Sequence, residues 1–89
     1  MTHEKNGLIH LLLVDDHPIV RDGIKANLED APGIEIVGEA ASGEQAMELA
    51  RKLRPNIVVM DMKLPDLTGI EVTERLHAEM PEVQVLVLS

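Results

Sequence analysis

Four short apolar runs alternate with three segments of helical periodicity along the chain. The runs cover residues 8–15, 34–40, 56–60 and 83–88. Each is rich in aliphatic residues; the first is nearly continuous, as a strand buried on both faces is, and residues 34–40 alternate partly, as an outer strand does. Strands that alternate with helices through short connections form a parallel sheet with right-handed crossovers and helices on both faces. The sequence therefore predicts one α/β domain with a doubly wound parallel sheet and the order β-α-β-α-β-α-β.

Capping residues and prolines mark the ends of the predicted helices. Pro18 suits the first position of the first helix. Ser42 with Gln45, and Thr68 with Glu71, have the spacing of capping boxes, which predicts where the second and third helices begin. A proline follows each helical segment. The third helix is predicted to carry the following residues on one side: Ile70, Thr73, Leu76 and Met80.

Polar residues stand where three of the four predicted strands end. Asp15 and Asp16 lie at the end of the first strand, Asp61 follows the third, and Ser89 follows the fourth. Sites in parallel sheets form beyond the carboxyl ends of the strands, so we expect these side chains in one crevice. Three carboxylates packed together repel one another unless a cation lies among them. The pattern predicts a site for a hard cation, and Mg²⁺ fits better than Ca²⁺ because no multi-ligand loop is present.

An aspartate held beside Mg²⁺ can attack a phosphoryl donor and form an acyl phosphate. The hydroxyl of Ser89 could then donate to a phosphoryl oxygen. His17 could be a ligand or a proton donor, although a histidine at the N-cap or in the first turn of the helix is the favoured interpretation. Lys63 has two open interpretations, a solvated loop side chain or a contact to the phosphoryl group.

Composition excludes several classes of function. The net charge of −8 and the absence of Phe, Trp and Tyr argue against binding of nucleic acid, which needs a positive surface and uses aromatic stacking. Without cysteine there can be no disulfide framework. We predict a polar tail over residues 1–7, one domain over residues 8–89, no signal peptide or membrane span, and a cytoplasmic location.

Four segments, in order and in spacing, resemble a bacterial response-regulator receiver domain. The segments are residues 12–23, 36–46, 61–69 and 85–89. Two details resemble the NarL/FixJ (LuxR-type) branch, namely Asp15-Asp16-His17-Pro18 and Val37-Gly38-Glu39-Ala40. The resemblance implies a flavodoxin-like (CheY-like) fold and a phosphoacceptor module of two-component signal transduction. It further implies a parent protein that regulates transcription by binding DNA.

The resemblance also implies roles for particular residues. Asp61 would accept the phosphoryl group from a phosphohistidine of a sensor histidine kinase, or from acetyl phosphate. Asp16 would ligate Mg²⁺ directly and Asp15 through water, while the backbone carbonyl of Lys63 would be a third protein ligand. Ser89 would supply the hydroxyl that contacts the phosphoryl group. The protein would not be an enzyme in the usual sense, beyond possible autophosphatase activity.

Family members continue past the position of Ser89 into a fourth helix, a fifth strand with a conserved lysine, and a fifth helix. We therefore expect an incomplete receiver domain whose phosphorylation is weakened. In the strand order of the family, 2-1-3-4-5, an absent fifth strand exposes the edge of residues 83–88. That edge predicts self-association or exchange of elements between chains. Pro65 and Gly69 match the residues that shape the loop after the phosphoacceptor.

Three rival functions compete with this one, and the sequence argues against nucleotide binding most directly. A phosphohydrolase of the haloacid-dehalogenase type also uses an aspartate nucleophile with Mg²⁺, but this chain has Lys63 where that class has a second aspartate. Nucleotide binding would need a glycine-rich loop after the first strand, where the chain has Asp15 and Asp16. An interaction module that is never phosphorylated is the third rival, and failure to bind Mg²⁺ would favour it.

Overall fold

The protein forms one parallel sheet with helices on both of its faces, in a computed structural model that describes residues 8–88. The elements, in chain order, are β1 (Ile9–Val14), α1 (Pro18–Leu28), β2 (Ile34–Ala40), α2 (Gly43–Leu53), β3 (Ile57–Asp61), α3 (Gly69–Glu79) and β4 (Gln84–Leu88). The predicted order is confirmed, and the predicted strand ends are correct to within one residue. The predicted tail, residues 1–7, and Ser89 lie outside the described residues.

All strand pairs are parallel, in the order β2-β1-β3-β4. Val14 of β1 pairs with Ala40 of β2 on one side and with Met60 of β3 on the other. The strands therefore end at one level, and the residue after Val14 comes to lie beside Asp61. This register is what brings the predicted acidic residues to one edge.

The core has two parts, one on each face of the sheet. Side chains in β1 alternate between the faces, so a continuous apolar run serves both. Leu12 and Val14 pack with α2 and α3, whereas Leu11 and Leu13 pack on the side of α1. The core lacks aromatic rings, and methionines are among its largest fully buried side chains, at Met47, Met60 and Met80.

One of the two predicted capping boxes is complete. The Thr68 side chain accepts from the backbone nitrogen of Glu71 at 3.1 Å, and the Glu71 carboxylate accepts from the Thr68 backbone at 2.9 Å. At α2 the Ser42 hydroxyl accepts from Gln45 N at 3.1 Å, but the Gln45 side chain accepts from Ala41 instead. The capping box predicted at Ser42 is therefore wrong for one of its two bonds, because the side-chain oxygen of Gln45 accepts from Ala41, the residue before Ser42.

The buried side of α3 differs from the predicted one. Val72, Leu76 and Met80 are buried at a spacing of four, whereas Ile70 is 55% exposed. Gly69 lies against the backbone of Asp61, so position 69 faces the sheet and the next residue points outward. Placing Ile70 on the apolar side was therefore wrong, and Val72 takes that place.

Strand β4 ends the sheet, and its outer edge pairs with no strand of residues 8–88. Leu86 is 51% exposed and Leu88 is 38% exposed, while Val85 and Val87 pack against the core under α2 and α3. The face of β4 on the side of α1 is therefore apolar and open. None of the helices in the described residues is long and apolar enough to cross a membrane.

Candidate functional site

The acidic residues that follow β1 meet the acid at the end of β3. Asp15, Asp16, His17 and Asp61 each offer a ligand atom, and these atoms all lie within 4.8 Å of one another. The structure thus brings together three of the residues predicted from strand ends and adds His17 to them. Ser89, predicted as a fourth member, lies outside the described residues.

Asp15 is the buried acid of this cluster. Its side chain is 7% exposed, against 23% for Asp61 and 35% for Asp16. Its Oδ1 accepts from the backbone nitrogen of His17 at 2.8 Å, which is the local turn that aspartate favours before a helix. Its backbone nitrogen donates to the carbonyl of Ala40 at 3.0 Å. Asp15 therefore fixes the turn between β1 and α1.

Asp16 carries a buried carboxylate oxygen, Oδ1, that accepts no well-directed hydrogen bond from any described residue. The Nδ1 atom of His17 lies 3.0 Å from it, but the angles do not suit a hydrogen bond, so this contact is an ion pair only. A buried carboxylate oxygen without a donor costs free energy. Together with the oxygens of Asp15 and Asp61, it is the hard donor set that Mg²⁺ takes, and the residues fit that ion.

His17 is the N-cap residue of α1, as favoured from the sequence, but its side chain makes no cap hydrogen bond. Its Nδ1 lies 3.0 Å from Asp15 Oδ1 and 4.0 Å from Asp61 Oδ2. The hydrogen bond with Asp15, followed by the charge of Asp16, raises the pKa of the imidazole above 6.5. The ring remains 64% exposed, so it borders the acidic cluster from the solvent side.

The segment after Asp61 closes tightly on itself. The backbone nitrogen of Gly69 donates to the carbonyl of Met62 at 2.7 Å, and Lys63 and Thr68 form an antiparallel bridge. A Cβ on Gly69 would lie 2.9 Å from the Asp61 carbonyl oxygen, so only glycine fits without a shift of the backbone. The backbone nitrogen of Lys63 approaches Asp61 Oδ1 at 3.4 Å. Pro65 is exposed in this loop.

Sequence reasoning missed the part played by Asp66. Its carboxylate accepts from the backbone nitrogens of Gly43 at 2.8 Å and Glu44 at 3.0 Å. The bond from Gly43, and then the one from Glu44, lower the pKa of Asp66 below its ordinary value. The loop after Asp61 therefore caps α2. No local sequence pattern predicts this capping contact, because more than twenty residues separate Asp66 from Gly43 and Glu44.

A second missed residue is Arg21 of α1. Its guanidinium donates to the backbone carbonyl of Asp15 and, at 3.1 Å, to Glu39 of β2. Lys25 also donates to Glu39, at 2.9 Å, and these cations lower the pKa of Glu39, Lys25 foremost. Arg21 lies within one of the segments that resemble the receiver family, but no pattern along the chain connects it with the acidic cluster.

The sequence model of the response regulator receiver domain matches residues 11–89. This chain belongs to the receiver-domain family. The predicted resemblance is confirmed, and the acidic cluster lies within the matched segment.

Relatives of this receiver domain include named response regulators. The response regulator GacA of Pseudomonas aeruginosa is 43% identical over 82 residues, which is 92% of this chain and 38% of GacA. The response regulator protein VraR of Staphylococcus aureus is 41% identical over 81 residues, which is 91% of this chain and 39% of VraR. The chain thus spans under two fifths of the length of these relatives.

Solved structures confirm the predicted fold. A two-component response regulator of the LuxR family from Aurantimonas superposes with a TM-score of 0.86 at 41% identity, over 90% of this chain and 57% of that one. The response regulator domain of Thermotoga maritima CheB gives a TM-score of 0.85 at 32% identity, over 90% of this chain and 59% of that one. The first of these also confirms the predicted likeness to the LuxR-type branch.

Proposed function

We propose that this receiver domain accepts a phosphoryl group on Asp61, from a sensor histidine kinase, in a Mg²⁺-dependent transfer. The observation that carries the proposal is the meeting of Asp61 with Asp15 and Asp16, all within 4.8 Å, in a chain of this family. Asp61 ends β3 and is 23% exposed, so a donor can reach its carboxylate.

Mg²⁺ would be held by the carboxylates of Asp16 and Asp61 and by the backbone carbonyl of Lys63, with Asp15 acting through water. The buried Oδ1 of Asp16, which accepts no hydrogen bond from the described residues, supports Asp16 as a direct ligand. When bound, the ion offsets negative charge on the transferring phosphoryl oxygens.

Asp61 acts as the nucleophile. A lone pair of one carboxylate oxygen forms the bond to phosphorus while the bond from phosphorus to the donor atom breaks. The donor atom is a histidine nitrogen in the kinase or the acetate oxygen in acetyl phosphate, and it leaves with the bonding electron pair. The backbone nitrogen of Lys63, near Oδ1, orients the carboxylate. Pro65 and Gly69 would hold the loop, and the hydroxyl of Ser89 would donate to a phosphoryl oxygen.

The first test is intact-mass spectrometry after incubation with acetyl phosphate and Mg²⁺. We expect one phosphoryl adduct on the wild-type chain and none on Asp61→Asn. Omission of Mg²⁺, or Asp16→Asn, should strongly reduce the adduct. A wild-type chain that is folded by circular dichroism and gains no adduct would refute the proposal for this chain and favour an interaction module.

The same assay separates the two interpretations of Lys63. Lys63→Ala keeps the backbone carbonyl proposed as a metal ligand and removes only the ammonium group. A slower labelling would place the side chain at the phosphoryl group, because a positive charge there stabilises the transferring oxygens. Unchanged labelling would leave it as a solvated loop residue.

The kinase would contact the first turn of α1 beside the acidic cluster. Ile19 is 84% exposed and Val20 is 42% exposed, so both offer apolar surface to a protein donor. Ile19→Asp should leave labelling by acetyl phosphate unchanged and slow transfer from a phosphorylated kinase fragment that labels the wild-type chain. Equal transfer to both chains would exclude this surface.

The relatives are longer than this chain, and one similar structure is a complex of the response regulator RcsB with DNA. We infer that a protein of that length uses this receiver domain to regulate transcription in the cytoplasm. The DNA contact would belong to another part of it, because this chain has a net charge of −8 and no aromatic residue for stacking.

A second candidate function is self-association through β4. The strand has no charged residue, its outer edge is unpaired within residues 8–88, and Leu86 is 51% exposed. Sedimentation equilibrium should show concentration-dependent oligomers that Leu86→Lys reduces. Ile70→Lys on α3 is the matched control, since Ile70 is 55% exposed and α3 packs on the face of the sheet opposite to Leu86. A wild-type monomer at high concentration would refute the idea.

A further inference from the structure

Arg21 contacts the peptide group that joins Asp15 to Asp16. Its Nη1 donates to the carbonyl oxygen of Asp15, and its Nε donates to Glu39 Oε1 at 3.1 Å. The side chain is only 19% exposed, so it is held between α1 and β2 rather than extended into solvent. Two directed bonds from one planar guanidinium fix its orientation.

The carboxylate that anchors Arg21 is itself held. Glu39 accepts from Lys25 Nζ at 2.9 Å through its other oxygen, and Lys25 lies 3.5 Å from Asp22. The next residue in β2 is Ala40, whose carbonyl accepts from the backbone nitrogen of Asp15. Both backbone polar groups of Asp15 are therefore tied to β2, the N–H directly and the C=O through Arg21 and Glu39.

Asp16 depends on this arrangement because no described residue directs its buried Oδ1 by a hydrogen bond. Its carboxylate is aimed mainly by the backbone that carries it, and the peptide preceding it is the one that Arg21 holds. We propose that Arg21 is a positioning residue, which sets the Asp15–Asp16 peptide so that the Asp16 carboxylate points into the metal site. This inference rests on the proposed function.

Charge and geometry predict opposite effects of removing Arg21. A cation near a metal site repels the metal, so the loss of its charge alone would tighten binding. Loss of a group that orients a metal ligand weakens binding instead. The direction of the change in affinity therefore tells the two apart.

The test measures Mn²⁺ affinity by electron paramagnetic resonance of the free ion, with Mn²⁺ standing in for Mg²⁺ at an oxygen site. We expect Arg21→Gln to bind about tenfold more weakly than wild type, as outer-shell changes do. Arg21→Lys should also bind Mn²⁺ more weakly, because one ammonium group does not reproduce the fixed geometry of the two guanidinium nitrogens that donate to Asp15 and Glu39. Unchanged or tighter binding by a folded Arg21→Gln variant would overturn the proposal.

Arg75→Gln is the matched control. It removes the same charge from a residue of α3 that is 49% exposed and pairs with Glu44 at 3.3 Å. Its Mn²⁺ affinity should equal or slightly exceed that of wild type. A loss as large as that of Arg21→Gln would show that the effect is not specific to the Asp15–Asp16 peptide and would also overturn the proposal.

Folding and the proposed function are checked separately. Circular dichroism identifies the folded variants, and if Arg21→Gln is unfolded, a folded Arg21→Lys decides by the same criterion. In ¹⁵N spectra without metal, the amide signals of Asp16 and His17 should shift in the Arg21 variants and stay in place in Arg75→Gln. Absence of Mn²⁺ binding by the wild-type chain would refute the metal site itself and this inference with it. If the wild-type chain binds Mn²⁺ and Asp16→Asn abolishes that binding, the metal site is supported. The Arg21 variants then test the positioning role alone.

Discussion

The carboxylate of Asp66 lies 2.8 Å from the backbone nitrogen of Gly43, at the first turn of α2. The same carboxylate accepts from Glu44, so it satisfies two of the N–H groups that a helix leaves unpaired at its start. Since Asp66 belongs to the loop that joins β3 to α3, these bonds attach the middle of that loop to α2.

Asp66→Ala should destabilise the fold by about 1 kcal/mol, the usual cost of losing a capping side chain. Urea unfolding followed by circular dichroism measures this, because the chain has no tryptophan or tyrosine to report by fluorescence. Asp30→Ala is the control, since Asp30 is exposed in the turn after α1. Equal loss in both variants would contradict a capping role.

The contribution of Asp66 should depend on pH in one direction. The bonds from Gly43 and Glu44 lower the pKa of the folded-state carboxyl below 3.8. A carboxyl with a lowered folded-state pKa stabilises fully above its unfolded pKa and loses that effect as pH falls through the folded value. The stability difference between wild type and Asp66→Ala should therefore be constant near neutral pH and shrink below pH 3.8. Urea titrations at a series of pH values measure this difference, and a difference that grows as the pH falls would contradict the prediction.

Gly69→Ala should destabilise the domain and disturb Asp61. The added Cβ would lie 2.9 Å from the Asp61 carbonyl oxygen and 3.1 Å from Met62 Cα, and backbone atoms cannot move aside cheaply. We expect a loss of about 1–3 kcal/mol, as for other overpacked sites, and slower labelling by acetyl phosphate.

Gly23→Ala provides the matched control for that variant. Gly23 lies inside α1 and a Cβ there would meet nothing within 4 Å. Alanine should stabilise the helix by about 0.5–1 kcal/mol, because glycine is the poorer helix former. The two substitutions are chemically identical, so opposite signs in urea unfolding would reflect their surroundings. Equal signs would contradict the tight contact at Gly69.

The ion pair between Arg51 and Glu79 should be sensitive to salt. Arg51 of α2 donates to both oxygens of Glu79 of α3, at 2.7 Å and 2.9 Å. These hydrogen bonds raise the pKa of Arg51 and lower that of Glu79. Both side chains are about half exposed, so dissolved ions screen them. A double-mutant cycle with Arg51→Gln and Glu79→Gln should give a favourable coupling at low salt that falls in concentrated NaCl. A coupling independent of salt would contradict this.

Local signals in the sequence determined most of the fold. The apolar run of β1 predicts a strand buried on both faces, and the Thr68–Glu71 spacing predicts the start of α3, because each depends only on residues near one another in the chain. The meeting of Asp15 and Asp16 with Asp61 also followed from the sequence, since parallel strands present their carboxyl ends at one edge.

The tertiary structure decided which way side chains face and which distant groups they contact. Ile70 points outward and Val72 inward because Gly69 packs on the Asp61 backbone. Asp66 caps a helix more than twenty residues away, and Arg21 holds the Asp15 carbonyl from across the turn between β1 and α1. These contacts depend on how separate elements pack in space. A pattern read along the chain reports the period and ends of each element, but not the distance from one element to the next.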